Sequence, residues 1–185
     1  MTDTGIEEDV IAFLSRQHQE IRALFTALET ANGTERRDLF RALVRLLAIH
    51  ETAEEEVVHP EVRSLTGGES VVEARVGEEH RAKELLVTLT DIGPEAEGFD
   101  TLLLQLRDDV LAHAEHEERE EFPLLRKAHT PERLLAMAST VKVAEAVAPT
   151  RPHPGVESAT ANLLLGPPVA IMDRARDLIR GALGR

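Results

Sequence analysis

The sequence predicts an all-α protein: an antiparallel up-down-up-down four-helix bundle with a helical C-terminal extension. Two observations predict it. Apolar residues recur at i+3/i+4 spacing over four stretches of helical length, with little β-branched alternation. Short turn signals, Asn32-Gly33, Gly67-Gly68 and Gly93-Pro94, separate those stretches and send each helix back along its predecessor.

The first helix is expected from about Ile6 to Thr30, with Val10, Leu14, His18, Ile21, Phe25 and Leu28 on one stripe. The second starts with Thr34 as N-cap and carries Leu39, Leu43, Leu47, His50, Glu54 and Val57 until Pro60 kinks or ends it. The third covers about Glu69 to Asp91, with Val72, Val76, His80 and Val87 facing inward. The fourth covers about Phe99 to Lys127, with Leu103, Leu106, Val110, His113, Glu117 and Leu124. Residues 1–129 form the expected bundle and 130–185 its extension. In the extension, Thr130 caps a short helix opened by Pro131, residues 148–155 read as a Pro-rich linker, and Gly166-Pro167-Pro168 precedes a last amphipathic helix. That helix carries Val169, Met172, Ala175, Ile179 and Leu183 on one side and should dock on the bundle.

Composition narrows the function. The 185 residues carry 34 acidic against 21 basic side chains, a net charge of −13 that disfavours a phosphate backbone as partner. Cysteine is absent, which excludes disulfides, thiolate nucleophiles and iron–sulfur clusters. Tyrosine and tryptophan are absent too. The acidic N-terminal segment does not read as a signal peptide, and no apolar run reaches the roughly 18 residues of a membrane span. The expectation is a cytoplasmic protein with no nucleic-acid or membrane partner.

The chemistry lies in an internal repeat. HETAEEEVVHP starts at His50 and HAEHEEREEFP at His113; each has His, Glu four residues on (Glu54, Glu117) and Pro ten residues on (Pro60, Pro123). Each repeat is preceded on the neighbouring helix by another histidine, His18 or His80. A lone His-x-x-x-Glu carries no weight in this acidic chain, because five of its eight histidines have Glu at i+4. Position on the apolar stripe separates the pairs. At about 1.5 Å per residue, His18, His50, His80 and His113 fall in one layer near mid-bundle, with Glu54 and Glu117. Unpaired carboxylates in a dry layer are costly. Two metal ions bridged by the two glutamates would relieve that cost, and nitrogen and oxygen donors without thiolate suit iron, manganese or zinc. The Glu-x-x-His pairs of ferritin-like centres are not met: Glu56/His59 alone has that spacing, and Glu56 is off the stripe. His59 just before Pro60, and Glu51 beside His50, are additional candidate ligands, and Glu84 and Glu121 could orient ligand imidazoles.

His18, the HETAE run from His50 to Glu54, His80, and the run from His113 to Pro123 resemble the hemerythrin-like, or HHE cation-binding, family over about residues 6 to 128. The resemblance implies a non-haem centre of two iron ions (Fe2+/Fe3+) with an oxo or hydroxo bridge, held by His18, His50, Glu54, His80, His113 and Glu117. The five-histidine oxygen carriers of that family have a second histidine on the third helix; here Val76 and Glu84 flank His80 instead. Many family members have Tyr where His59 stands. The implied partners are small oxidants, H2O2, O2 or NO. Peroxide decomposition of the catalase type, in oxidative or nitrosative stress response, is one expected activity. A sensing or storage role signalled through the C-terminal extension is the other.

Overall fold

The computed structural model describes residues 8–147 and 168–184. Among them every regular element is helical. The bundle is built from α1 (Val10–Leu28), α2 (Gly33–Ala53) continuing through a π-helical turn (Glu54–Val58) into α3 (His59–Arg63), α4 (Gly68–Ile92), and α5 (Phe99–His116) continuing through a second π-helical turn (Glu117–Glu121) into α6 (Phe122–Ala128). Two further helices follow, α7 (Pro131–Val147) and α8 (Pro168–Ala182). The predicted linker at 148–155 and the first residues of the predicted first helix lie outside the described residues.

The helix starts are locally specified. Asp9 caps α1, its carboxylate accepting from Ala12 N–H at 2.8 Å. Asn32, not Thr34, stands at the N-cap of α2, which begins two residues earlier than expected. Thr130 does cap α7, its hydroxyl accepting from Arg133 N–H at 3.3 Å. The turn into α4 is close. A Cβ on Gly68 would sit 1.8 Å from the carbonyl oxygen of Val62, so only glycine lets the two segments meet there.

One hydrophobic cluster runs through the molecule. Phe13, Leu14, Ile21, Phe25 and Leu28 of α1 join Leu43, Leu46, Leu47 and Ile49 of α2, Leu86 and Leu89 of α4, and Leu103 and Leu106 of α5. Leu134, Met137 and Val141 of α7 and Ile171, Met172, Ala175 and Ile179 of α8 belong to the same cluster. The buried side of α8 is therefore turned slightly from the expected stripe, with Ile171 inside and Val169 and Leu183 outside. Ion pairs fix its direction: Arg180 holds Glu56 at 2.8 Å, and Arg176 reaches Glu55 and Glu56 at 3.2 Å each.

The third bundle helix departs most from expectation. Its buried residues are Val72, Arg75, Glu79, Ala82, Leu86 and Leu89, while Val76, His80 and Val87 face outward. The inward spacing is a regular 3-4 alternation. Two of its members are charged, and their burial is explained by the polar layer they enter.

Candidate metal centre

Both π-helical turns precede a proline. A proline ring collides with the carbonyl four residues back and offers no N–H to it. In each case the turn is widened, so His59 N–H reaches Glu54 O and Phe122 N–H reaches Glu117 O, a five-residue step. Such a step sets all later residues back by about one position, roughly 100° of helix rotation. On a regular helix His59 would stand about 180° from His50; after the widened turn it stands about 80° away, close to Glu54. Glu121 moves by the same device to within about 20° of His113. His59 and Glu121 thereby enter the layer, and both are buried.

The layer has two adjoining parts. In the first, His18, His50, Glu54 and Glu117 each offer a ligand atom, all within 4.8 Å of one another. His18 Nε2 lies 3.1 Å from His50 Nε2 and 3.1 Å from Glu117 Oε2, and His50 Nε2 lies 3.3 Å from Glu54 Oε1. In the second, Glu54, Glu79 and His113 form one such group, and His59, Glu117 and Glu121 another. His113 Nε2 is 3.1 Å from Glu117 Oε1 and 3.9 Å from Glu54 Oε2. His59 Nε2 joins the two groups, 3.4 Å from Glu79 Oε1 and 3.6 Å from Glu121 Oε1. Glu54 and Glu117 take part on both sides, one oxygen toward each.

Histidine orientation is fixed from behind. His50 Nδ1 donates to Gln17 Oε1 at 2.9 Å, His18 Nδ1 to Glu118 Oε1 at 2.7 Å, and His113 Nδ1 to Glu78 Oε2 at 3.0 Å. With Nδ1 carrying the hydrogen, neutral His18 and His50 rings would present Nε2 lone pairs to the layer. Those of His18 and His50 face each other at 3.1 Å, which is repulsive unless a cation sits between them. Two nitrogens bound cis to one metal at about 2.1 Å would be about 3.0 Å apart. Burial, then the neighbouring His18, lowers the His50 imidazole to about 3, and burial lowers His59 to about 4, so both are neutral at pH 7.

The carboxylates are strained electrostatically. Burial, and next the charge of Glu117, raises Glu54 well above the usual carboxylate range. Burial and Glu51 push Glu79 up to about 9; burial and Glu117 push Glu121 up to about 8. Glu117 goes the other way: its burial is outweighed by His113 and His18, and His113 is raised in return. Both oxygens of Glu54, Glu79 and Glu121, Glu117 Oε1, and the Nε2 atoms of His59 and His113 are buried without hydrogen-bond partners. Buried polar atoms are rarely left so. Four histidine nitrogens and four carboxylates converging with so many unpartnered atoms fit two divalent cations, whose charge the four glutamates would balance.

Of the expected ligands, His18, His50, Glu54, His113 and Glu117 converge, and His59 converges with them. His80 does not. Its side chain is 74% exposed and lies 3.4 Å from Glu84 on the outside of α4. Glu79, one residue earlier and about 100° round the helix, takes the inward place. Glu51 is buried and belongs to none of the three groups; its Oε2 lies 3.6 Å from Lys83 Nζ, and burial raises its carboxyl to about 7 against the pull of Lys83. Glu121, expected only to orient an imidazole, faces the layer directly, whereas Glu84 pairs with exposed His80. His116 lies behind the layer, its Nδ1 2.9 Å from Glu78, which also holds His113. The signal that could have located Glu79 is the seven-residue spacing Val72–Glu79–Leu86, with Arg75–Ala82–Leu89 beside it.

A cavity of about 10 Å3, room for roughly one water molecule, adjoins the layer. His18, His50, Glu51, Glu79 and His113 line it together with Ile21, Leu47 and Val110.

Comparison with known proteins agrees with this architecture. The chain is 32% identical over 139 residues to a protein of the cyanobacterium Nostoc sp. named "DNA nickase", of whose length it spans 38%. Its fold matches, at a TM-score of 0.69 and 22% identity, the crystal structure of a hemerythrin HHE cation binding domain-containing protein from Mycobacterium kansasii, over 90% of this chain and 98% of that one. Residues 9–125 match the model of the hemerythrin HHE cation binding domain, and the chain belongs to that family.

Proposed function

We propose that this bundle is a dinuclear non-haem iron protein that binds or reacts with small oxidants, H2O2, O2 or NO, in a cytoplasmic response to oxidative or nitrosative stress. The observation that carries the reading is the double placement of Glu54 and Glu117, each with one oxygen toward either half of the layer. His18 and His50 would hold one ion and His59, His113, Glu79 and Glu121 the other. These donors fill about ten of roughly twelve octahedral positions, which leaves about two for solvent or substrate. Two irons so held would supply Lewis acidity and one-electron redox chemistry.

The chain's own residues set what can arrive. The adjoining cavity admits a molecule of water size, which favours a diatomic gas or peroxide over an organic substrate. Ile21, Leu47 and Val110 make part of its lining apolar, and Glu51, whose carboxyl is raised to about 7, can hold or release a proton there. The test is reconstitution with ferrous iron, a metal count, and oxygen evolution from peroxide corrected for free iron. About two irons per chain with evolution above the control supports the reading. Two irons without evolution, and with a stable reversible oxygen spectrum, shifts it to a carrier or sensor.

One observation favours a sensor as the second reading. Arg176 and Arg180 of α8 grip Glu55 and Glu56, the residues immediately after Glu54. A change at Glu54 would be felt at that clamp. The name of the cyanobacterial relative adds one control, a supercoiled-plasmid nicking assay; the net charge of −13 argues against activity there.

A further inference from the structure

The two halves of the layer offer unlike donors. Both share Glu54 and Glu117. Beyond those, the first has two imidazoles, His18 and His50, and no carboxylate of its own. It is closed by an apolar ring: Phe122, which holds in the second repeat the place of His59 in the first, lies parallel to His18 with centroids 5.9 Å apart. The second half has His59 and His113 and two carboxylates of its own, Glu79 and Glu121, all buried and with unpartnered atoms. Neither Glu79 nor His59 belongs to a His-x-x-x-Glu unit. They reach the layer through the α4 register and the widened turn before Pro60.

Donor chemistry gives this asymmetry a consequence. Imidazole favours the later first-row metals, and carboxylate oxygen suits manganese and harder cations. Magnesium and calcium take oxygen ligands, so the two imidazoles of the second half disfavour them. We propose that the second half is a manganese-accepting position, so that with both metals present the chain holds iron between His18 and His50 and manganese among His59, His113, Glu79 and Glu121. This rests on the dinuclear reading above. The preference for ferrous iron over manganese, general to nitrogen and oxygen sites, is smallest where carboxylates are most numerous.

The experiment is anaerobic loading of the full chain with iron alone, manganese alone, or equimolar Fe2+ and Mn2+. Anomalous diffraction at the iron and manganese edges then reads each position separately. The mixed sample should show at least about threefold more manganese in the second position than in the first. The Glu79→Gln/Glu121→Gln double variant keeps side-chain shape; with its helicity intact by circular dichroism, it should lose that bias while the first position still takes iron. Equal partition, or manganese enriched at the His18/His50 position, overturns the proposal and leaves the dinuclear reading standing. A bias that persists in the double variant also overturns it, because the two carboxylates then do not set it. Absence of metal from the layer in all three samples overturns both.

Discussion

Raising the pH from 6.5 to 8 should weaken the metal-free protein and leave the loaded protein unaffected. The carboxyls of Glu79 and Glu121 lie near 9 and 8 in the folded chain, against 4.5 when free in water. Their folded values are raised, so the stability they contribute is complete below the unfolded value and declines as pH rises toward the folded one. Across this window the folded chain holds up to two more protons at these residues than the unfolded chain. Each costs about 1.36 kcal/mol per pH unit, which gives up to about 4 kcal/mol over the interval. Partial ionisation of Glu121 and local rearrangement reduce this to on the order of 2–4 kcal/mol. His50 and His59 do not oppose it: their folded values are depressed, so their effect falls below their free value of 6.5. In a chain of this size the melting temperature should drop roughly 5–15 °C. Bound metal needs these carboxylates ionised and the imidazoles neutral, so the loaded protein should hold its melting temperature from pH 6.5 to 8 and release metal only on acidification toward about pH 5. The assay is thermal unfolding by circular dichroism, with and without chelator, at both pH values. A metal-free protein that melts at the same temperature or higher at pH 8 would refute the buried-carboxylate argument.

Three further outcomes follow from the geometry. Glu54→Gln and Glu117→Gln should each reduce bound metal from two ions to at most one, whereas His80→Ala should retain both; metal analysis of the purified variants that finds loss in His80→Ala would return that residue to the ligand set. Gly68→Ala should cost more than about 2 kcal/mol in denaturant unfolding, because the new Cβ meets the Val62 carbonyl at 1.8 Å and the backbone itself must move. Replacing Arg176 and Arg180 together by Ala should lower the melting temperature only slightly, since these partly exposed pairs are individually weak; unchanged melting would mean that α8 is held by Ile171, Met172 and Ile179 alone.

The sequence by itself determined the helices, their order and turns, and five residues of the candidate metal layer, with His59 as a further candidate. These are properties of short range: the i+3/i+4 stripe, a capping residue, a Gly-Gly turn, and the four-residue spacing that puts His50 with Glu54 and His113 with Glu117 on one face. Tertiary structure decided the rest. The third helix offers two defensible faces, one with Val76, His80 and Val87 and one with Arg75 and Glu79. Hydropathy prefers the first, yet the second is buried, because Arg75 lies 3.7 Å from Glu120 and Glu79 lies 3.4 Å from His59, partners that come from other elements. A charged residue becomes a core residue only when its partners arrive from elsewhere in the chain, and a single-helix pattern does not contain them. His59, named from the sequence only as an additional candidate, and Glu121, expected only to orient an imidazole, gained their inward places for a different reason. Their faces follow from π-helical turns that relieve the clash of Pro60 and Pro123 with the preceding carbonyls. The prolines are visible in the sequence; whether a helix answers one by ending, kinking or widening is settled by what its continuation packs against.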